Sequence, residues 1–398
     1  MRRALIVSPV RTAVGTFGGA LRAVPAEELA TVVVRETVAR AGVDPARIDD
    51  VVLAQSYANS EAPCIGRWAA LNAGLPLQVP GMQLDRRCGG GLQAIISAAM
   101  MVQTGAADVV LAGGVESMSN VEHYTQDVRW GRRSGGVELH DRLDRGRQRS
   151  QPEGRFGPIS GMIETAENLA QEYQVSREAA DEFAAESHRR AAAAQANGRF
   201  DEEIVAVDVP QRRGEALRFE QDEGVRPDSG VTALARLRPI QAGGTVTAGN
   251  ASQQNDGAAA CLIVAEETAE SLDLHPIAAL VGWAASGCDP ARMGIGPVPA
   301  VAKLFARTGL GFDDLDLIEL NEAFAVQVLA VLRCWNWDDR SRLNVNGSGI
   351  SLGHPIGATG ARIMTTMLYE LARRAGRFAL ETMCIGGGQG LAAIFERV

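Results

Sequence analysis

The chain has 398 residues, 46% of them apolar and 22% charged. Those proportions are globular and exclude disorder and collagen-like repeats, and the length suggests two or three domains. Lysines and arginines number 39 against 48 aspartates and glutamates, and the net charge of −9 argues against nucleic acid as a general partner.

The chain opens with two arginines and a short apolar run that breaks at Pro9 and Arg11, before a signal-peptide core forms. The expected location is therefore cytoplasmic, where thiols stay reduced. A strand is predicted at 4–8, a helix over 25–41 stopped by Gly42, and a second strand at 51–54. A helix at 68–73, a strand at 83–85, an apolar helix from Gly89-Gly90-Gly91 to Val102 and a buried strand at 109–112 follow. Strands alternating with helices predict a mostly parallel α/β sheet covered on both faces.

From about Asn120 to Gly249 the pattern changes to a long excursion, rich in arginine and glycine over 129–155. Loops of that length are lids or assembly elements. Two helices stand out inside it, one at 161–173 and one capped by Ser176 and stopped at Asn197-Gly198. The longest uninterrupted apolar run, 258–265, is too short to span a membrane. The opening grammar then returns: a strand at 315–319, a glycine-rich turn after 343–345, a helix at 359–372 and a strand at 378–384 ending in Gly386-Gly387-Gly388. Two similar halves imply an internal duplication.

The six cysteines, Cys64, Cys88, Cys261, Cys288, Cys334 and Cys384, form no CxxC pair, so no zinc or disulfide framework is expected. Cys88 stands between a strand and a glycine-opened helix. There the helix dipole and unpaired N–H groups favour thiolate, predicting a lowered pKa and a nucleophile. His354, in Gly353-His354-Pro355, has a backbone fixed by its neighbours and suits a base that takes a thiol proton. Its glycines lack the spacing of a phosphate loop. Cys384 ends a strand, where α/β sites are built, and the backbone N–H groups of Cys88 and Gly386 could form an oxyanion hole. Asn321-Glu322 follows a strand and is either a helix cap or a polar site pair.

Together, Cys88 in its turn, Asn321-Glu322-Ala323-Phe324, Asn346-Gly347 through Gly353-His354-Pro355 and Cys384-Ile385-Gly386 resemble the signature blocks of the thiolases. Gly113 through Ser119, Thr245 through Asn250 and Met293 through Pro297 fit as well, in the family's order. The resemblance implies a duplicated, five-layered α/β/α/β/α fold. One half would be 1–120 plus 250–270, the other 271–398, with an inserted loop domain at 121–249 that binds CoA and helps assembly as a dimer or tetramer. It implies an acyltransferase that reversibly cleaves 3-ketoacyl-CoA, with coenzyme A and acyl-CoA as substrates, no permanently bound cofactor and no metal.

The roles it implies are Cys88 as acylated nucleophile, His354 as its base and Cys384 as acid/base for the second substrate. Asn321 would hold a water with His354 in one oxyanion hole, and the N–H groups of Cys88 and Gly386 would form the other. Arg226 and Ser252 would touch CoA; Met162, Ala323 and Phe324 would line the acyl and pantetheine channel. The chain departs from the family at Asp85, Gln253 and Gly161. Many short-chain members have histidine where Gly161 stands, so a wider pocket and a degradative use, as in beta-oxidation, are expected. Two alternatives are a decarboxylating ketoacyl synthase, which wants a second histidine in place of Cys384, and a non-catalytic acyl-CoA or lipid-binding relative.

Overall fold

The computed structural model describes residues 2–159 and 161–398. The first half runs β1 (Ala4–Thr12), α1 (Ala26–Ala41), β2 (Asp50–Ala54), α2 (Ile65–Asn72), β3 (Met82–Leu84), α3 (Gly90–Thr104) and β4 (Val109–Ser117). An excursion carrying α4 (Arg142–Gln148), α5 (Met162–Glu172) and α6 (Arg177–Ala196) intervenes before β5 (Asn255–Ala265). The second half runs β6 (Pro276–Gly287), α7 (Pro297–Thr308), β7 (Leu317–Leu320), α8 (Ala325–Trp335), α9 (Thr359–Arg373), β8 (Phe378–Ile385) and β9 (Gln389–Arg397).

The ladder order is β7-β8-β9-β6-β1-β5-β4-β2-β3. Outward from the β1–β6 seam, the first half reads β1-β5-β4-β2-β3 and the second β6-β9-β8-β7, followed by a parallel bridge from Ile318 to Leu343 where β3 has its counterpart. The two halves thus share one topology, as the repeated grammar of the sequence predicts.

The expected mostly parallel sheet is in fact mixed. β2 runs parallel to β3 and β4, and β7 to β8. β5 and β9, however, run antiparallel to both of their neighbours, and the seam is antiparallel too. The cause is visible in the second half. Only Gly386-Gly387-Gly388 joins β8 to β9, far too short for a parallel crossover. Gly387 and Gly388 take φ of 87° and 83°, which glycine adopts without steric cost. In the first half the same junction is opened to admit the excursion.

Alternating side chains send each strand's residues to two different layers. Leu5 and Val7 join Leu29, Val33 and Ile65 under α1 and α2. Ile6 joins Ile95 of α3, Met364 of α9, Ile385 and Phe395 in the central layer. On the far side, Ile318 and Leu380 pack against Leu304 of α7 and Val328 of α8. The result is helix, sheet, helix, sheet, helix. The central crossing is tight: a Cβ on Gly360 would lie 2.3 Å from the backbone N of Leu92.

The excursion is stitched onto both halves. Ala166, Ala180 and Phe183 extend the outer core of the second half, while Val207, Val209 and Phe219 extend that of the first. A buried ion cluster fastens it to the seam. Arg11 on β1 donates to Glu203 at 2.6 Å and to Asp222 at 2.7 and 2.9 Å, and Thr366 of α9 donates to Glu203 at 2.7 Å. Burial opposes the Arg11 charge, but the two carboxylates outweigh it and hold the guanidinium above its ordinary pKa. Among the described residues no helix is long and apolar enough to cross a membrane.

Candidate active site

Cys88 sits in a short turn (Arg87–Gly89) that feeds α3. Arg87 takes φ of 48°, a conformation costly for a side-chain-bearing residue, and is held by Asp85 Oδ1 accepting from its N–H at 2.6 Å. Ser56 Oγ donates to its carbonyl at 3.1 Å. The turn leaves the thiol half-buried and facing the backbone N–H of Gly386. The expected lowering of its pKa does not occur. Burial pushes the thiol up and outweighs the Gly386 N–H, the Arg87 charge and its own N–H, all of which favour thiolate.

His354 is buried in the loop before α9. Its backbone N–H donates to Asn255 Oδ1 at 2.8 Å, and Nδ1 lies 2.7 Å from Thr359 Oγ1. The Thr359 hydroxyl donates to the carbonyl of Pro355 at 2.8 Å. Its one hydrogen is thereby committed, so the ring nitrogen is the donor: His354 carries its proton on Nδ1 and keeps a lone pair on Nε2. Burial, followed by the charges of Arg362 and Arg147, lowers its pKa to about 3. The imidazole is neutral at physiological pH.

Cys384, near the end of β8, is fully buried. Burial and then the charge of Cys88 push its pKa well up, so a neutral thiol faces the first cysteine. Glu116 on β4 ties these loops together by accepting from the backbone N–H groups of Ser56, Tyr57 and Gly357 at 3.0, 3.3 and 3.1 Å. Burial raises it to about 7.

These groups open into one cavity of about 600 Å³ that is lined by Cys88, His354, Cys384, Met162, Ser252, Ala323 and Phe324. The main chain explains the grouping: the Ser252 N–H donates to the Ala323 carbonyl at 2.9 Å, and Ala251 bridges Phe324. A Cβ on Gly386 would lie 3.5 Å from the Met162 sulfur. Asn321 is buried and is not among the residues that line the cavity; neither the oxygen nor the nitrogen of its amide meets a partner among the described residues. Glu322 instead accepts from Ser187 at 2.6 Å and from Asn344 at 2.9 Å, bracing the 344–350 loop. Arg226 is exposed and does not line the cavity.

Several lining residues escape sequence reasoning. Met118 and Met293 lie in blocks the sequence flags without a role, whereas Arg147 and Gln254 carry no local signal. Among the described residues no His, Cys, Asp and Glu group is arranged to hold a metal ion.

Residues 4–267 match the model of the thiolase N-terminal domain and 274–397 that of the thiolase C-terminal domain. The chain is 47% identical to the beta-ketothiolase BktB of Cupriavidus necator and 44% identical to that organism's acetyl-CoA acetyltransferase, over 100% of both partners in each case. Its structure superposes on the Bacillus anthracis acetyl-CoA acetyltransferase with a TM-score of 0.96 at 43% identity. Human mitochondrial 3-ketoacyl-CoA thiolase gives 0.94 at 37%, and both matches cover 100% of this chain and 99% of the other. The chain belongs to the thiolase family of acyltransferases.

Proposed function

We propose that this thiolase cleaves 3-ketoacyl-CoA with coenzyme A, and runs the reverse condensation, through an acyl group carried on Cys88. The observation that carries this reading is the convergence of Cys88, His354 and Cys384 in one cavity, with the Gly386 N–H on the first thiol. Nε2 of His354 takes the Cys88 proton, and the thiolate attacks the 3-keto carbon. The oxyanion that forms is held by the N–H groups of Cys88 and Gly386. The C2–C3 bond then breaks. The departing acetyl-CoA enolate is held by the Nε2–H of His354 and a water on the Asn321 amide, and Cys384 protonates its C2. Incoming CoA gives its thiol proton to the Cys384 thiolate and attacks the acyl-Cys88 thioester; acyl-CoA forms, and Cys88 leaves as a thiolate that takes back the proton held on Nε2 of His354.

Met162, Ala323, Phe324 and Ser252 form the acyl and pantetheine walls, and Arg226 meets the nucleotide outside the cavity. The enzyme works in the cytoplasm as a homo-oligomer, dimer or tetramer. The open edge of β3 and the exposed Trp130 on the excursion support the last part. The test is CoA-dependent loss of acetoacetyl-CoA: wild type consumes it and Cys88→Ala does not. Turnover only with a malonyl thioester, with release of carbon dioxide, would favour the decarboxylating alternative instead.

A further inference from the structure

The cavity wall is mostly apolar, with Met118, Met162, Ile163, Met293, Phe324 and Ile356 among its residues, yet Arg147 of α4 stands among them. Its charge is near enough to His354 to depress that ring and near enough to Tyr57 to act on its hydroxyl. Gly161 borders its stem: a Cβ built there would lie 3.9 Å from Cβ of Arg147. The space that the missing side chain opens is therefore edged by a cation rather than by a larger apolar wall.

The guanidinium is held from one side. In the orientation that satisfies its neighbours, the Gln254 side-chain oxygen accepts from Nη1 and Nη2 of Arg147 at 3.1 and 3.2 Å. Asp144 Oδ1 lies 3.3 Å from Nη1, but its side chain is 65% exposed, which makes the pair weak. Among the described residues Nε meets no acceptor. The Nε–Nη2 edge, whose two parallel N–H bonds match a carboxylate, therefore has no bidentate partner among the described residues.

We propose that Arg147 binds the far end of the acyl chain and that the preferred substrates are 3-ketoacyl-CoAs whose chain ends in a carboxylate. This rests on the thiolase reading above. A methyl-ended chain strips water from the guanidinium and returns no hydrogen bond, whereas a terminal carboxylate replaces that water with two charge-assisted bonds. The same edge could bind a phosphate of CoA, so the test must separate the two anions.

The experiment compares thiolysis kcat/KM for matched six- and eight-carbon 3-ketoacyl-CoAs ending in a carboxylate or a methyl group. Wild type, Arg147→Met and Arg147→Lys are used, with acetylation of Cys88 by acetyl-CoA as the check that each variant is folded. Wild type should favour the carboxylated member of a pair by about tenfold or more. Arg147→Met should lose roughly 10–100-fold on carboxylated substrates and reverse the preference, with Arg147→Lys between. Equal use of both members by wild type, or an equal loss on both in Arg147→Met as a CoA-phosphate contact would give, would overturn the proposal. Failure of every 3-ketoacyl-CoA, with no acetyl group on Cys88, would overturn the thiolase reading itself.

Discussion

Thr359 Oγ1 stands 2.7 Å from Nδ1 of His354 and passes its own hydrogen to the Pro355 carbonyl. One hydroxyl, five residues along the chain at the start of α9, thus decides which ring nitrogen is basic. The base function proposed for Nε2 depends on that choice.

Thr359→Val should release the Nδ1 proton and let the ring populate the wrong tautomer. We expect kcat for thiolysis to fall by roughly 10–100-fold, short of the about 10²–10⁴-fold that a positioned proton-transfer group supplies, because the base is displaced in tautomer and not removed. Thr359→Ser keeps the hydroxyl and should recover most of the loss. Equal activity of the valine and wild-type enzymes, by steady-state assay, would remove Thr359 from the account.

The protonation state of the resting site follows from the directions of the two shifts. Burial raises Cys88 above its ordinary value near 9 and drops His354 to about 3, so thiol and imidazole are both neutral at pH 7. Alkylation of Cys88 by iodoacetamide in the absence of substrate should therefore keep rising with pH through 9. No step should appear near 6.5, where an ordinary histidine titrates. A rate already at its plateau by pH 7 would mean a resting thiolate–imidazolium pair.

How far the sequence alone reaches depends on how local each signal is. Cys88, His354 and Cys384, which line one cavity, are legible because glycines stand within a few residues of each. The duplication is legible because the strand, glycine turn and helix recur in order. The antiparallel seam between β1 and β6 is not, since two strands more than 260 residues apart carry no mark of their pairing. Arg147 is likewise hidden in an arginine-rich stretch without periodicity, and only the fold shows which arginine meets the cavity. The lowered Cys88 pKa that the sequence predicts fails for a related reason: the dipole and N–H groups are local and visible, whereas the desolvation that outweighs them comes from the fold around the thiol.

Arg11 tests how much the walls of the site depend on the excursion's attachment. Its side chain is fully buried with Glu203 and Asp222, so Arg11→Met leaves two buried carboxylates facing each other. Removing one partner of such a cluster costs about 3–5 kcal/mol, which denaturant unfolding should register at neutral pH. Adding Glu203→Gln and Asp222→Asn to the same variant should restore a large part, because the stranded charges are then gone. A neutral single substitution would show that the cluster contributes little.

Cys384→Ser separates the two half-reactions. Serine cannot supply a proton at the pKa of a thiol, yet it leaves the Cys88 turn untouched. Acetyl transfer from acetyl-CoA to Cys88 should persist, while condensation and thiolysis fall by roughly 10²–10⁴-fold. Wild-type turnover would make Cys384 a packing residue.

If the reaction runs as proposed, substrate carbon is held on Cys88. That is tested most directly by mixing the enzyme with acetyl-CoA, quenching in acid and mapping the added acetyl group by peptide mass spectrometry. One acetyl group is expected, on the peptide that contains Cys88, displaced when CoA is added before the quench and missing from Cys88→Ser. An acetyl group that maps instead to Cys384 or Cys288, or a Cys88→Ser enzyme that still turns over 3-ketoacyl-CoA, would contradict it.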